Sequence, residues 1–310
     1  MRGRQGKERV KPASRSKRRL QPAAASSKHS PTSPEDCARE EPDLNHWIDG
    51  KAAEPYTDEQ IMNLSGKIAL VTGGTRGIGA ASAIALAREG AELAIAGRRL
   101  DKEASRTHEA VIALGRRCEV IQADCGQPGE ATRCVRETEA RLGPVDVLVH
   151  AAGGPVNGGL FDLTPEAWQA AFEVHVNAIF HLCRAAIPNM RSKKEGAIIL
   201  ISSTAGLRGI VTNIAYQVAK GALPQFARAL SREFANDHIR VNCVAPGVIR
   251  TDFHQSMTEE QRRLNLEHRI PLHREGTPME VAELILALVK NDYITGETMT
   301  IDGGLTMRIA

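Results

Sequence analysis

Lys67-Ile68-Ala69-Leu70-Val71-Thr72 runs straight into Gly73-Gly74-Thr75-Arg76-Gly77-Ile78-Gly79, and a helix-forming stretch follows at once. The first segment is apolar at nearly every position, as in a parallel strand covered on both faces. Glycine then serves three needs: a sharp turn, close approach of backbone to a pyrophosphate, and tight packing of helix on strand. The helix N-terminus presents free N–H groups to an anion. The spacing is Gly-x-x-x-Gly-x-Gly, and a glycine-rich turn can be simply a turn. Between the first strand and first helix of a βαβ run it points instead to a dinucleotide, with Gly73, Thr75, Arg76, Gly77, Ile78 and Gly79 as candidate binding positions.

Outward from this loop the pattern repeats. Strands are expected at 67–72, 92–96, 118–123, 145–150, 197–202, 239–244 and 297–301, and helices at 77–89, 102–114, 128–142, 165–191, 213–235 and 278–290. Gly90, Gly115 and Gly143 stop the first three helices. Thr164-Pro165 supplies an N-cap and a first-turn proline, and Thr277-Pro278-Met279-Glu280 a capping box. Repeated β-α-β implies an α/β fold: one doubly wound, mostly parallel, seven-stranded Rossmann sheet with helices on both faces, a single domain over 66–310.

The chain has 310 residues, 42% hydrophobic and 25% charged, ordinary for a globular protein and incompatible with global disorder. No stretch approaches the roughly 18 consecutive apolar residues of a membrane-spanning helix. The net charge of +3 hides a split: residues 1–34 carry ten Lys/Arg against Glu8 alone, which leaves 35–310 mildly acidic. The folded part is therefore not expected to bind nucleic acid or membrane. Residues 1–50 lack periodicity and read as a disordered basic tail, with 51–65 a lead-in. An organelle transit peptide, a start codon assigned too early and a polyanion-binding arm are open readings of the tail. Six cysteines (Cys37, Cys118, Cys125, Cys134, Cys183 and Cys243) show no metal-ligand spacing and read as thiols of a reducing compartment. A cytoplasmic location is expected, with organelle import the alternative.

The end of the second strand bears on cofactor choice. An acid there would bind a ribose 2′-hydroxyl. This chain has Ala96-Gly97-Arg98-Arg99, and two guanidiniums suit a 2′-phosphate, with Arg76 as a third positive charge. NADP(H) is thus favoured over NAD(H), unless Arg98 and Arg99 merely end a strand in solvent. Further on, Tyr216-Gln217-Val218-Ala219-Lys220 places a phenol and an ammonium one helical turn apart. The ammonium and a bound nicotinamide would lower the phenol pKa and let it exchange a proton with an alcohol or ketone. Ser203 follows the fifth strand, at the carboxyl edge where open α/β sheets bind ligands, while Ser202 reads as a structural hydroxyl.

From about Leu64 to Leu305 the chain resembles the short-chain dehydrogenase/reductase family. Gly73, Gly77 and Gly79 match its cofactor glycines, and Ser203, Tyr216 and Lys220 its catalytic triad. The resemblance implies that Asp124 lies near the adenine, that Ala151-Ala152-Gly153 corresponds to the family's Asn-Ala-Gly, and that Asn177 holds a water leading from the lysine to solvent. It further implies that Pro246, Gly247, Val248 and Thr251, in Pro246-Gly247-Val248-Ile249-Arg250-Thr251, contact the nicotinamide carboxamide. One departure is visible: His150 stands where the family usually has Asn. His150, His175 and His181 read as structural or surface residues. The implied reaction reduces a ketone to an alcohol, NADPH giving hydride and Tyr216 the proton. A 3-oxoacyl thioester is the leading substrate, oxidation of a sugar, polyol or steroid the second reading, and a catalytically silent dinucleotide sensor the third. Residues 252–274 read as an amphipathic lid, and the family implies a homotetramer or homodimer.

Overall fold

The computed structural model describes residues 61–254 and 257–307. The expected basic tail, with Cys37, and residues 51–60 of the lead-in lie outside the described residues. Strands β1 (Ile68–Thr72), β2 (Glu92–Gly97), β3 (Cys118–Gln122), β4 (Val147–His150), β5 (Gly196–Ile201), β6 (Ile239–Pro246) and β7 (Thr298–Ile301) form one sheet in the order β3-β2-β1-β4-β5-β6-β7. Every neighbouring pair is parallel, so the sheet is more uniform than the mostly parallel one expected from sequence. Val71 faces Ile95 across one edge of β1 and Val149 across the other.

The apolar runs are buried on both sides because successive side chains alternate between two cores. On one face Leu70, Ala94, Leu148 and Ile198 pack against α3 (Pro128–Arg141), α5 (Ala178–Lys193) and α6 (Ile214–Glu233). On the other, Val71, Ile95, Val149 and Ile199 meet α1 (Gly77–Arg88), α2 (Lys102–Ala113) and α8 (Pro278–Lys290). The helix punctuation is local chemistry. Gly90, Gly115 and Gly143 take φ of +102°, +74° and +122°, which glycine adopts without strain. Both reciprocal bonds of the Thr277–Glu280 capping box are made, and Thr164 Oγ1 caps the Ala167 N–H of α4 (Pro165–Phe172) at 3.2 Å.

One expectation is corrected, and two segments gain detail. The segment 165–191 is not one helix: a π-helical turn, Glu173–Asn177, separates α4 from α5 by inserting an extra residue into the helical register. The stretch 252–274 is broken into a 3₁₀ turn (Asp252–His254), the short helix α7 (Glu259–Leu264) and a second π turn (Asn265–Arg269). The fold also begins before residue 66. Met62 and Leu64 are buried in the α8-side core, and the Met62 N–H donates to the Lys290 carbonyl at 2.9 Å. Among the described residues no helix is long and apolar enough to cross a membrane.

Candidate active site

The strand order reverses between β1 and β4, and the crevice beyond their carboxyl ends is where such a sheet receives a ligand. The glycine loop lines that crevice, and its glycines are there because nothing larger fits. A Cβ on Gly73 would lie 2.6 Å from the Ala151 carbonyl carbon and the Ala152 nitrogen, so the β1 and β4 loops touch backbone to backbone. Gly73 and Gly77 also have φ of +69° and +56°. A Cβ on Gly79 would overlap the Gly73 carbonyl oxygen. On the far side Thr251 approaches the same loop, its methyl 3.4 Å from where a Gly77 Cβ would stand. This cradle fits a dinucleotide pyrophosphate. Gly79→Ala is expected to weaken dinucleotide binding about 30-fold, near 2 kcal/mol, because the loop must open to admit the methyl. Fluorescence titration of the purified variant measures it, and an unchanged dissociation constant would remove the loop from the site.

Ser203, Tyr216 and Lys220 converge at the carboxyl end of β5. Ser203 follows the strand and caps the Thr204–Gly206 turn by accepting from the Ala205 N–H at 3.1 Å. Its hydroxyl lies close enough to the Tyr216 phenol to lower the pKa of that phenol. Lys220 is buried, its Nζ 5.8 Å from the Tyr216 ring centroid and donating to the Ile201 carbonyl at 2.6 Å. Ser202 turns the other way, its Oγ donating to the Lys220 carbonyl at 2.7 Å. Gly206 lets the 204–206 turn lie directly on the Lys220 peptide, where a Cβ would be 2.7 Å from the carbonyl carbon. The lysine is thereby fixed at both ends.

The electrostatics differ from the sequence expectation. Burial raises the Tyr216 phenol above its ordinary value, and the Ser203 hydroxyl offsets only part of that. In the chain by itself Tyr216 is a protonated phenol, not an activated phenolate. Burial also lowers Lys220 to about 8, against a small opposing effect from Cys243.

Two histidines brace the site. His150 bonds Thr72 Oγ1 at 2.8 Å through Nδ1 and the Val174 carbonyl at 3.0 Å through Nε2. Because the carbonyl can only accept, Nε2 carries the proton and Nδ1 accepts from the threonine. His150 thus ties β4 to β1 and to the π turn. His175, 1% exposed, donates from Nε2 to the Gly154 carbonyl at 3.1 Å and meets Tyr216 edge-on at 5.5 Å. Gly153, with φ +145°, leaves the space its imidazole fills, and His175 Nδ1 has no hydrogen-bond partner. Burial, reinforced by the Lys220 charge, lowers His150 to about 3 and His175 to about 2. Both are neutral. Asn177 is half-buried at the end of the π turn, where α5 begins.

The remaining positions surround the crevice. Arg98 and Arg99 are exposed beyond β2. Arg76 is not the free cation expected from sequence: it pairs with Asp101 and, at 3.6 Å, with Asp252. Asp101 meanwhile caps α2 through the Glu103 and Ala104 N–H groups at 3.1 and 3.3 Å. Partial burial raises its carboxyl, but the Ala104 hydrogen bond and Arg76 outweigh this and hold it below the usual range. Asp124 accepts the Gly126 N–H at 3.0 Å in the loop after β3. Pro246 ends β6, and Gly247 donates to the Ile301 carbonyl at 2.9 Å. Val248 accepts from the Gly276 N–H at 3.0 Å. Phe253 stacks at a tilt on Tyr216, centroids 5.7 Å apart. Asp101 escaped the sequence reading, and the specific partners of Asp252 and Phe253, which lie in the stretch read as a lid, could not be seen because each is reached only through the fold. The capping pattern of Asp101 was the one available signal.

Residues 73–306 match a family model described as enoyl-(acyl carrier protein) reductase. The 3-oxoacyl-[acyl-carrier-protein] reductase of Chlamydia muridarum is 34% identical over 244 residues, covering 78% of this chain and 98% of that protein. A short-chain type dehydrogenase/reductase from Mycobacterium marinum superposes with TM-score 0.75 at 31% identity, covering 81% of this chain and 100% of that one. A blue fluorescent protein from a metagenomic library, in complex with NADPH, does so with TM-score 0.72 at 33% identity, covering 79% and 100%.

Proposed function

The chain belongs to the short-chain dehydrogenase/reductase family of oxidoreductases, and on that premise we propose an NADPH-dependent ketone reductase that acts on 3-oxoacyl thioesters. The observation that carries the reading is the convergence of Ser203, Tyr216 and the buried Lys220 at the carboxyl end of β5. A ketone oxygen placed between the two hydroxyls would receive a hydrogen bond from each. That arrangement suits a carbonyl better than a carbon–carbon double bond, despite the wording of the family model's description. A phenol keeps its proton at neutral pH and can pass it to a developing alkoxide, which is a far stronger base. Reduction is the direction we propose.

The reduced dinucleotide supplies the hydride when bound. Gly73, Gly77 and Gly79 would hold its pyrophosphate, and Asp124 its adenosine end. Ala151, Ala152, Gly153, Pro246, Gly247, Val248 and Thr251 would line the nicotinamide side. Lys220 gives one N–H to Ile201, which leaves donors for a ribose hydroxyl and for a water near Asn177. The absence of an acid at the end of β2, with Arg98 and Arg99 exposed beyond it, supports the 2′-phosphate form. Arg76 would have to exchange a carboxylate for that phosphate.

The test is a panel of a 3-oxoacyl thioester, a keto sugar and a steroid ketone, with NADPH and with NADH, followed at the reduced nicotinamide band. Fastest turnover of the thioester is expected, with NADPH preferred about tenfold or more in kcat/KM, the worth of one charged hydrogen-bonded contact. Faster oxidation of a polyol or steroid alcohol would overturn the substrate and the direction. Tight cofactor binding without any turnover would make the protein a sensor.

A further inference from the structure

Between Ser203 and α6 the chain forms a lip over the site whose conformation is costly. Thr212 and Asn213 both adopt left-handed backbone, with φ of +66° and +58°. For threonine, branched at Cβ, this region is strongly disfavoured, and two such residues in succession do not hold their shape unaided. Asn213 gains nothing from its side chain there, since its buried Oδ1 has no partner. What fixes the lip is Gln217, the residue after Tyr216. Its Oε1 accepts the Ile210 N–H at 2.8 Å, and its Nε2 donates to the carbonyls of Ile210 at 2.9 Å and Thr212 at 2.5 Å. The side-chain amide pairs with the Ile210 backbone as a neighbouring strand would. These three hydrogen bonds all come from the helix that carries the tyrosine.

The lip presents apolar surface rather than polar. Ile210 is 47% and Val211 90% exposed, and the loop facing them carries Leu160 and Phe161, the latter 98% exposed. The two loops are joined where the Ile214 N–H donates to the Gly158 carbonyl at 3.3 Å. Both loops leave the sheet at candidate site residues, Gly153 after β4 and Ser203 after β5. A sugar or polyol would gain little from these side chains, whereas a hydrocarbon chain would remove them from water.

We propose that Gln217 is a positioning residue that holds Ile210 and Val211 as one wall of the channel for the apolar part of the substrate, and so sets selectivity for chain length. This rests on the ketone-reductase reading above. Gln217→Ala frees the lip. Gln217→Glu keeps the acceptor for the Ile210 N–H but sets a carboxylate against two carbonyls. The probes are four-carbon and eight-carbon 3-oxoacyl thioesters of N-acetylcysteamine, reduced with NADPH. Both variants are expected to raise KM for the longer thioester about tenfold, the worth of part of one buried apolar side chain, and to change the shorter one's far less. The fall in kcat should be smaller than the rise in KM. Adding Thr212→Gly to Gln217→Ala should recover much of the lost KM, because glycine adopts that backbone without strain. Equal losses for both chain lengths, or no rise in KM, would overturn the proposal.

A readout independent of turnover separates this idea from the function it rests on. Hydrogen exchange at the Ile210 amide should quicken about tenfold or more in Gln217→Ala, because its acceptor is gone. If the unaltered protein reduced neither thioester, the reductase reading would fall and this exchange rate would decide the clamp alone. Exchange at the original rate would then refute it.

Discussion

Tyr216→Phe is expected to cut ketone turnover by about a thousandfold, the usual contribution of a well-placed general acid, with little change in NADPH affinity. The substitution removes one oxygen and keeps the ring. Phenylalanine would still meet His175 edge-on and Phe253 at a tilt, so the packing measured at 5.5 and 5.7 Å has no cause to change. Lys220 is held by the Ile201 carbonyl rather than by the phenol, so its position should survive as well. What disappears is the hydroxyl with its proton, beside Ser203. Steady-state kinetics beside a fluorescence titration of NADPH gives both quantities. Activity within a few-fold of the original protein would show that another group delivers the proton.

Stability should fall steeply in mild acid. His150 and His175 remain neutral in the folded chain down to about 3 and about 2, whereas in the unfolded chain each takes a proton near 6.5. Below that pH the unfolded state binds more protons, so stability is complete above pH 6.5 and is lost as pH falls. The expected slope is about 1.4 kcal/mol per pH unit for each histidine, or about 4 kcal/mol for the pair by pH 5. Against a typical total of about 5–15 kcal/mol this is a large fraction. His150→Asn restores the residue usual in the family and removes one titrating group. It should halve the slope between pH 6 and 5, whatever it does to stability at pH 7.5. Urea unfolding midpoints across that range measure it, and an unaltered slope would mean that other groups govern the acid response.

The sequence revealed those features whose cause is local. β1 and its glycine loop were readable because a turn against backbone atoms leaves no room for a side chain, and glycine marks such places. The caps at Thr164 and Thr277 were readable for the same kind of reason. The π turn at 173–177 was not. Its residues keep the apolar spacing of an ordinary helix, and one extra residue leaves no compositional trace. Tyr216, Lys220 and Ser203 were recognisable by spacing, but the charge state of the phenol was not, since it depends on how deeply the fold buries the ring. Arg76 shows the same limit. Its neighbours in sequence suggest an open cation, while Asp101 and Asp252 arrive from 25 and 176 residues away. His150 could be seen as a departure from the family pattern, yet only the β1–β4 pairing explains what the imidazole holds together.

The short turn at Asp252–His254 touches the site through two adjacent residues. Phe253 rests on the Tyr216 ring, and the carboxylate beside it in sequence pairs with the guanidinium of the glycine loop. Adjacent side chains therefore guard the two approaches to the crevice, one toward the reacting carbonyl and one toward the nucleotide. A displacement of that one turn would therefore disturb the phenol's ring packing and the guanidinium's ion pair together.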